Sequence, residues 1–323
     1  MKRRLGVLLA AVLGLGLLAG CGGAKKEEPA AQPAPQAQTQ GQSGAAQQPA
    51  QKEFTLGLAI STLNNPFFVD LKEGAEEAAK AAGVKLEITD AQDDTAKQVS
   101  GIEDLITKKV DLIIVNPTDS QAVVPAVEAA NKANIPVITV DRGAGGGKVV
   151  SHIASDNVAG GKMAGQLIVD LLKGQGKVIE LEGIPGTSAA RDRGKGFHEA
   201  VDGVKGIEVV AKQPADFNRA KGLSVMENLL QAHPDVQAVF AHNDEMALGA
   251  IEALKAAGKK GVIVVGFDAT ADARKAVEAG EMTATVAQKP RDMGRIAVET
   301  AVKVLKGEKV DEFIPVGLEL VKK

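Results

Sequence analysis

Phe54-Thr55-Leu56-Gly57-Leu58-Ala59-Ile60-Ser61-Thr62-Leu63-Asn64-Asn65-Pro66-Phe67-Phe68 decides how this chain is read. Residues 54–60 form a continuous apolar run, as expected of a strand buried on both faces. Past the turn, Val69, Leu71, Ala75, Ala78, Ala79 and Ala82 recur at helical spacing, and Gly83 stops the helix. Between strand and helix, two amides stand beside two aromatic rings. A flat apolar face next to groups that donate and accept hydrogen bonds suits a sugar, whose C–H face is apolar and whose hydroxyls do both. The same residues also suit a plain helix start, with Pro66 at its first position and both Phe in the core.

Downstream, strand and helix alternate with hardly a break. Strands are predicted over 54–60, 84–89, 111–116, 136–140, 148–153, 177–182, 207–211, 236–241, 262–267 and 283–287. Helices are predicted over 66–82, 95–109, 119–133, 157–173, 188–202, 218–231, 244–257, 271–278 and 290–306. Runs such as Leu112-Ile113-Ile114-Val115 and Val262-Ile263-Val264-Val265 are β-branched and uninterrupted, as in parallel sheets covered on both faces. Repeated βα units predict an α/β fold with doubly wound sheets. About ten strands are divided more readily between two lobes than gathered in one core, since single cores stop growing at about 250–300 residues. The period restarts near Ala154-Ser155-Asp156, where the chain is expected to cross between lobes.

Upstream, Lys2-Arg3-Arg4 precede an apolar run, Leu5 to Leu18, shaped like a secretory signal and short for a membrane span. It ends Leu18-Ala19-Gly20-Cys21, which resembles the bacterial lipobox, so residues 1–21 are expected to be a lipoprotein signal with Cys21 as the lipidation site. An ordinary signal cleaved nearby is the alternative. Cys21 is the single cysteine among 323 residues, so the mature chain has neither thiol nor disulfide to hold its fold. Residues 22–52 are rich in Gln, Ala, Pro and Gly without an apolar period and read as a disordered tether. As a random coil such a segment spans roughly 30 Å root-mean-square. Removing residues 1–20 takes away Lys2, Arg3 and Arg4 and no acid, leaving 35 basic against 41 acidic residues, a net charge of −6. That balance argues against a nucleic-acid partner. With no Trp or Tyr, aromatic stacking falls to the eight Phe.

In open α/β sheets ligands bind beyond the carboxyl ends of the strands. The residues there are Asn64 to Phe68, Asn116 to Ser120, Asp141-Arg142, Gly183 to Arg193, Ala215 to Asn218, His242 to Glu245, Phe267-Asp268 and Gln288. Carboxylates, guanidinium groups, amides and Phe rings together can donate to and accept from the same hydroxyl, which suits a neutral polyol better than an anion. Asn116, Asp119, Thr187 and Asp244 are also at plausible helix N-caps. Gly143-Ala144-Gly145-Gly146-Gly147 precedes no helix and reads as a connection rather than a phosphate cradle. The G-x-x-x-x-G-K-[ST], H-E-x-x-H and G-x-S-x-G patterns are absent, and the four His lack metal spacing. Asp141 and Asp268 could be imagined as an acid/base pair, yet each has arginines as partners, so accepting hydrogen bonds from hydroxyls is the expected role. No enzyme, metal or cofactor is predicted.

Several stretches carry a likeness: STLNNPFF (61–68), NPTDS (116–120), IPVITVDR (135–142), VVSHIASDN (149–157), GTSAARDRGKGF (186–197), QPADF (213–217), HPDVQAVFAHNDEMALGA (233–250) and VVGFDAT (264–270). They resemble the ribose-binding proteins of bacterial ABC transporters, within the periplasmic sugar-binding family that shares its fold with lactose-repressor-type effector domains. The likeness runs from residue 53 to the C-terminus. It implies two Rossmann-like lobes with parallel sheets and a three-segment hinge, the periplasmic-binding-protein type I fold, closing over one pyranose. The first lobe would comprise 53–155 and 289–317, the second 156–288 and 318–323. The ligand-binding residues implied are Asn65, Phe67, Phe68, Asp141 and Arg142 from the first lobe. From the second they are Arg193, Phe217, Asn243, Phe267 and Asp268, with Gln288 at the hinge. Arg191 ranks as support behind Arg193, which lies four residues before Phe197 in an Arg-x-x-Gly-Phe pattern. His242 stands where relatives often have Gln and Ala269 where they often have Gly, departures that bear on affinity more than on sugar class. The implied role is a monomeric, lipid-anchored, extracytoplasmic receptor that captures a monosaccharide and delivers it to an ABC transporter permease. D-Ribose comes first, with allose, xylose, galactose or a furanone signal as alternatives. A sugar-modifying enzyme would need an acid/base motif that is missing, and a transcription regulator a helix-turn-helix ahead of residue 53.

Overall fold

In the computed structural model, which describes residues 53–323, β1 (Thr55–Ile60), α1 (Pro66–Ala82), β2 (Lys85–Asp90), α2 (Thr95–Thr107), β3 (Leu112–Val115), α3 (Val124–Lys132), β4 (Val137–Val140) and β5 (Ser151–Ala154) come first. They are followed by α4 (Asn157–Leu171), β6 (Gln175–Glu182), α5 (Ser188–Val201), β7 (Gly206–Pro214), α6 (Arg219–Ala232), β8 (Ala238–Ala241), α7 (Asp244–Ala256), β9 (Ile263–Asp268), α8 (Ala271–Ala279) and β10 (Ala284–Ala287). Last come α9 (Pro290–Leu305), β11 (Phe313–Pro315) and β12 (Glu319–Lys322). The predicted signal, Cys21 and the tether lie outside the described residues.

The strands form two six-stranded sheets, ordered β11-β5-β4-β3-β1-β2 and β12-β10-β9-β8-β6-β7. Every pairing is parallel except that of β10 with β12. Within each sheet the strand order reverses once, between β1 and β3 and between β6 and β8, and such a switch point opens a crevice at the carboxyl ends. The chain passes between sheets three times: after β5, after β10, and between β11 and β12.

Period-2 alternation splits the side chains of each strand between two cores. Leu56, Leu58 and Ile60 of β1 and Leu112 and Ile114 of β3 pack under α1 and α9; Ala59, Ile113 and Val115 face α2 and α3. In the second sheet Ile179, Leu181 and Val239 go to one side, Val178, Phe240 and Phe267 to the other. Helix α1 buries Phe67, Phe68, Leu71, Ala75, Ala78 and Ala79 and ends at Gly83, whose φ of 66° is left-handed.

Three sequence expectations need correction. Asn116 and Asp244 do not cap helices. The helix expected over 119–133 starts only at Val124, because Asp119 Oδ1 accepts from the amides of Gln121 and Ala122 (2.8 Å each) in a separate turn. β11 and β12 were not predicted.

Candidate ligand-binding site

The turn after β1 starts a helix and also brings its rings to a cavity. Asn65 caps α1, its Oδ1 accepting from Phe67 N (3.0 Å), while its Nδ2 has no partner among the described residues. Phe67 and Phe68 meet edge to face with centroids 5.1 Å apart, and both rings belong to the core under α1 and line a cavity between the two sheets. Asn64 is exposed, a turn residue only.

After β3, Asn116 is the tie of the first half. Its Oδ1 accepts from Ser61 N (3.2 Å), and its Nδ2 donates to Val140 O (3.1 Å) and Asp141 Oδ2 (3.2 Å). It thereby joins the ends of β1, β3 and β4 and aims the Asp141 carboxylate. The Arg142 guanidinium donates to Pro117 O (3.3 Å) and lies 5.0 Å from the Phe68 ring and 5.2 Å from Phe217 of the opposite half.

In the second half, Arg193 Nε donates to Asn157 Oδ1 (2.8 Å) and Nη1 to His242 O (2.6 Å), with Asp268 Oδ1 at 3.8 Å. The Phe217 ring covers Gly183, where any Cβ would collide with it. Asn243 caps α7 through its Oδ1 and donates from Nδ2 to Phe217 O (3.2 Å), fixing the backbone that carries the ring. Gln288 Nε2 donates to Asp268 Oδ1 (2.8 Å), while its buried Oε1 has no partner among the described residues.

Ten of the eleven residues named from the sequence line one cavity: Asn65, Phe67, Phe68, Asp141, Arg142, Arg193, Phe217, Asn243, Asp268 and Gln288, with Ala189 added. None is more than 9% exposed, so the lining is buried between the two halves. Phe267 is the one the structure does not bring there. It is fully buried in the second-sheet core, its ring under the Arg193 guanidinium at 3.9 Å, so it supports a cavity residue without facing the cavity. Arg191 is exposed and donates to Gly186 O (3.0 Å), which leaves Arg193 as the cavity arginine.

The space is narrow, with Arg142 of the first half only 5.2 Å from the Phe217 ring of the second. Two carboxyl groups and two guanidinium groups line it. Burial pushes the Asp141 carboxyl above its usual range against the pull of Arg142 and Arg193, and pushes Asp268 well above it against Arg193. Such desolvated groups gain from a ligand whose hydroxyls replace lost water.

His242 lies outside the cavity. Gly183 N donates to its Nδ1 (3.2 Å), leaving the ring proton on Nε2 to face Glu180 Oε1 at 2.8 Å. Burial lowers its pKa, in keeping with a ring that accepts at Nδ1. Across the cleft, Ser120 N donates to Gly186 O (3.0 Å) and Gly143 N to Ser188 Oγ (2.8 Å), holding the halves together outside the cavity.

The model of the periplasmic binding protein domain matches residues 56–309. The chain belongs to this family. Family membership implies an extracytoplasmic place of work and a task of binding rather than catalysis. The ribose import binding protein of Haemophilus influenzae is 57% identical over 272 residues, covering 84% of this chain and 92% of that protein. The ribose import binding protein of Escherichia coli is 58% identical over 269 residues, with 83% and 90% covered. Among solved structures, an ABC transporter solute-binding protein of Mycobacterium smegmatis with bound glycerol superposes with a TM-score of 0.81 at 39% identity, covering 84% of this chain and 94% of that one. The two-lobed α/β architecture read from the sequence is the family's.

Proposed function

We propose that the chain is the solute-binding protein of an ABC importer and captures D-ribose by closure of two lobes. The observation that carries this reading is the buried cavity lined from both sheets by Phe rings, amides, two carboxyl groups and two guanidinium groups. Phe67 or Phe68 and Phe217 would cover the apolar faces of the ring, each contact worth about 1 kcal/mol beyond burial. Asp141, Arg142, Arg193 and Asp268 would bond its hydroxyls at roughly 1.5–3 kcal/mol each, joined by Asn65, Asn243 and the unpartnered Gln288 Oε1. The names of the relatives from Haemophilus influenzae and Escherichia coli support ribose over other monosaccharides.

The lobes are assigned as 53–155 with 289–317 and 156–288 with 318–323, and the three crossings between sheets as the hinge. Because the ligand contacts both lobes, it favours the closed form by the difference in its affinity for the two states. A permease would then read the closed pair. One chain supplies the whole cavity, as a monomer requires, and Cys21 would carry a lipid that anchors the receptor through the tether. No catalytic step is involved.

A thermal-shift screen followed by calorimetry tests the ligand. D-Ribose should raise the melting temperature more than D-allose, D-xylose or D-galactose and titrate at one site per chain. Stabilisation by another of these sugars with none from ribose would reassign the ligand, and turnover of any sugar would end the receptor reading.

A further inference from the structure

Asp268 carries the second-half carboxylate on a backbone that L-residues rarely adopt, with φ of 121° followed by 58° at Ala269. No glycine relieves either position, so the surroundings must impose the turn. Behind it, out of reach of the cavity, lies a polar group that the binding reading does not use. Asp244 is fully buried at the first position of α7, and Thr285 is fully buried on β10. Thr270 N donates to Asp244 Oδ2 (2.7 Å), and the Thr285 hydroxyl donates to Asp244 Oδ1 (2.6 Å). Ala269 N in turn donates to Thr285 Oγ1 (3.1 Å). The two amides that follow Asp268 are therefore both held by one carboxylate, directly or through one hydroxyl, and that carboxylate is rooted in a different helix.

We propose that Asp244 and Thr285 are positioning residues that brace the left-handed Asp268–Ala269 turn and so hold the Asp268 carboxylate towards the ligand. The brace rests on the cavity reading above for its effect on affinity, but its geometry is independent of which sugar binds. The flanking bonds agree with it. Arg274 Nε donates to Ala269 O (3.0 Å) and Gln288 N to Asp268 O (3.2 Å), so every peptide group of the turn is pinned while the carboxylate is left pointing into the cavity.

The test uses the full chain and two readouts. In calorimetry with D-ribose, Asp244→Asn and Thr285→Val should each weaken binding tenfold or more. Thr285→Ser, which keeps the hydroxyl, should retain most of the affinity that Thr285→Val loses. Adding Ala269→Gly to Thr285→Val should recover threefold or more, because glycine adopts the turn without a brace; loss of packing alone would not be repaired this way. In sugar-free protein, amide exchange at Ala269 and Thr270 should accelerate in Thr285→Val and Asp244→Asn. Wild-type affinity in Thr285→Val, equal loss in Thr285→Ser, or no recovery from glycine overturns the brace. If wild-type protein gives no heat with D-ribose, the sugar assignment alone falls, and unchanged exchange at the two amides still overturns the brace.

Discussion

Phe217 and Asp268 are two of the second half's cavity residues, one apolar and one acidic. Phe217 sits on Gly183 with its carbonyl held by Asn243. Truncating it removes a ring face and leaves a gap that the glycine floor cannot fill. Asp268→Ala removes an acceptor and leaves Arg193 and Gln288 short of a buried partner. Each substitution should weaken D-ribose at least about tenfold, the equivalent of roughly 1.4 kcal/mol. Calorimetry reads this directly, and unchanged affinity in either variant would show that the sugar binds elsewhere. Residue chemistry was legible in the sequence because the polar and aromatic groups that line the cavity cluster at strand ends. Facing was not. Phe267 and Phe217 are the same residue type at comparable strand ends, yet one supports Arg193 from below and the other lines the cavity. Ala189, a small apolar residue in a helix, carried no signal at all.

At the scale of elements, α1 was the easiest to read: Pro66 at its first position and Gly83 at its end mark both boundaries. β11 and β12 were invisible because, unlike the equally short but wholly buried β3, they are half-exposed edge strands without an apolar run; they pair only with β5 and β10. The junction of β9, α7 and α8 has a pH dependence of its own. Burial drives the Asp244 carboxyl up from 3.8 to about 7, against the hydrogen bonds of Thr285 and Thr270, with Glu245 adding like charge. Arg193 and Asp268 are the other charges that face it. The folded chain thus keeps a proton that the unfolded chain releases. Its contribution to stability is full below about pH 4 and is lost as pH rises through about 7. Asp244→Asn abolishes this titration, so wild type should lose stability relative to the variant between pH 4 and 8. Urea midpoints of both proteins across that range provide the check, and parallel curves would contradict the burial argument.

For the molecule as a whole, the proposed closure also draws on bonds outside the cavity. Ser188 Oγ accepts from Gly143 N across the cleft, and a hydrogen bond of this kind is worth about 0.5–1.5 kcal/mol net. Ser188→Ala should therefore lower affinity about two- to tenfold by destabilising the closed form. The order of preference among sugars should stay as in wild type, since the cavity lining is untouched. A changed order in a parallel titration of ribose and allose would place Ser188 in the recognition surface instead. By itself, the sequence determined the alternation of strand and helix, the two-lobed plan and the chemical kind of the site, because apolar periods, caps and strand-end residues are local properties. Only the tertiary structure decided which of those residues meet. The tie of Asn116 to Asp141, the seat of Phe217 on Gly183 and the bond of Thr285 to Asp244 behind Asp268 join positions 25 to 41 residues apart. Pairings of that kind are settled by how the sheets and helices pack, not by any pattern along the chain.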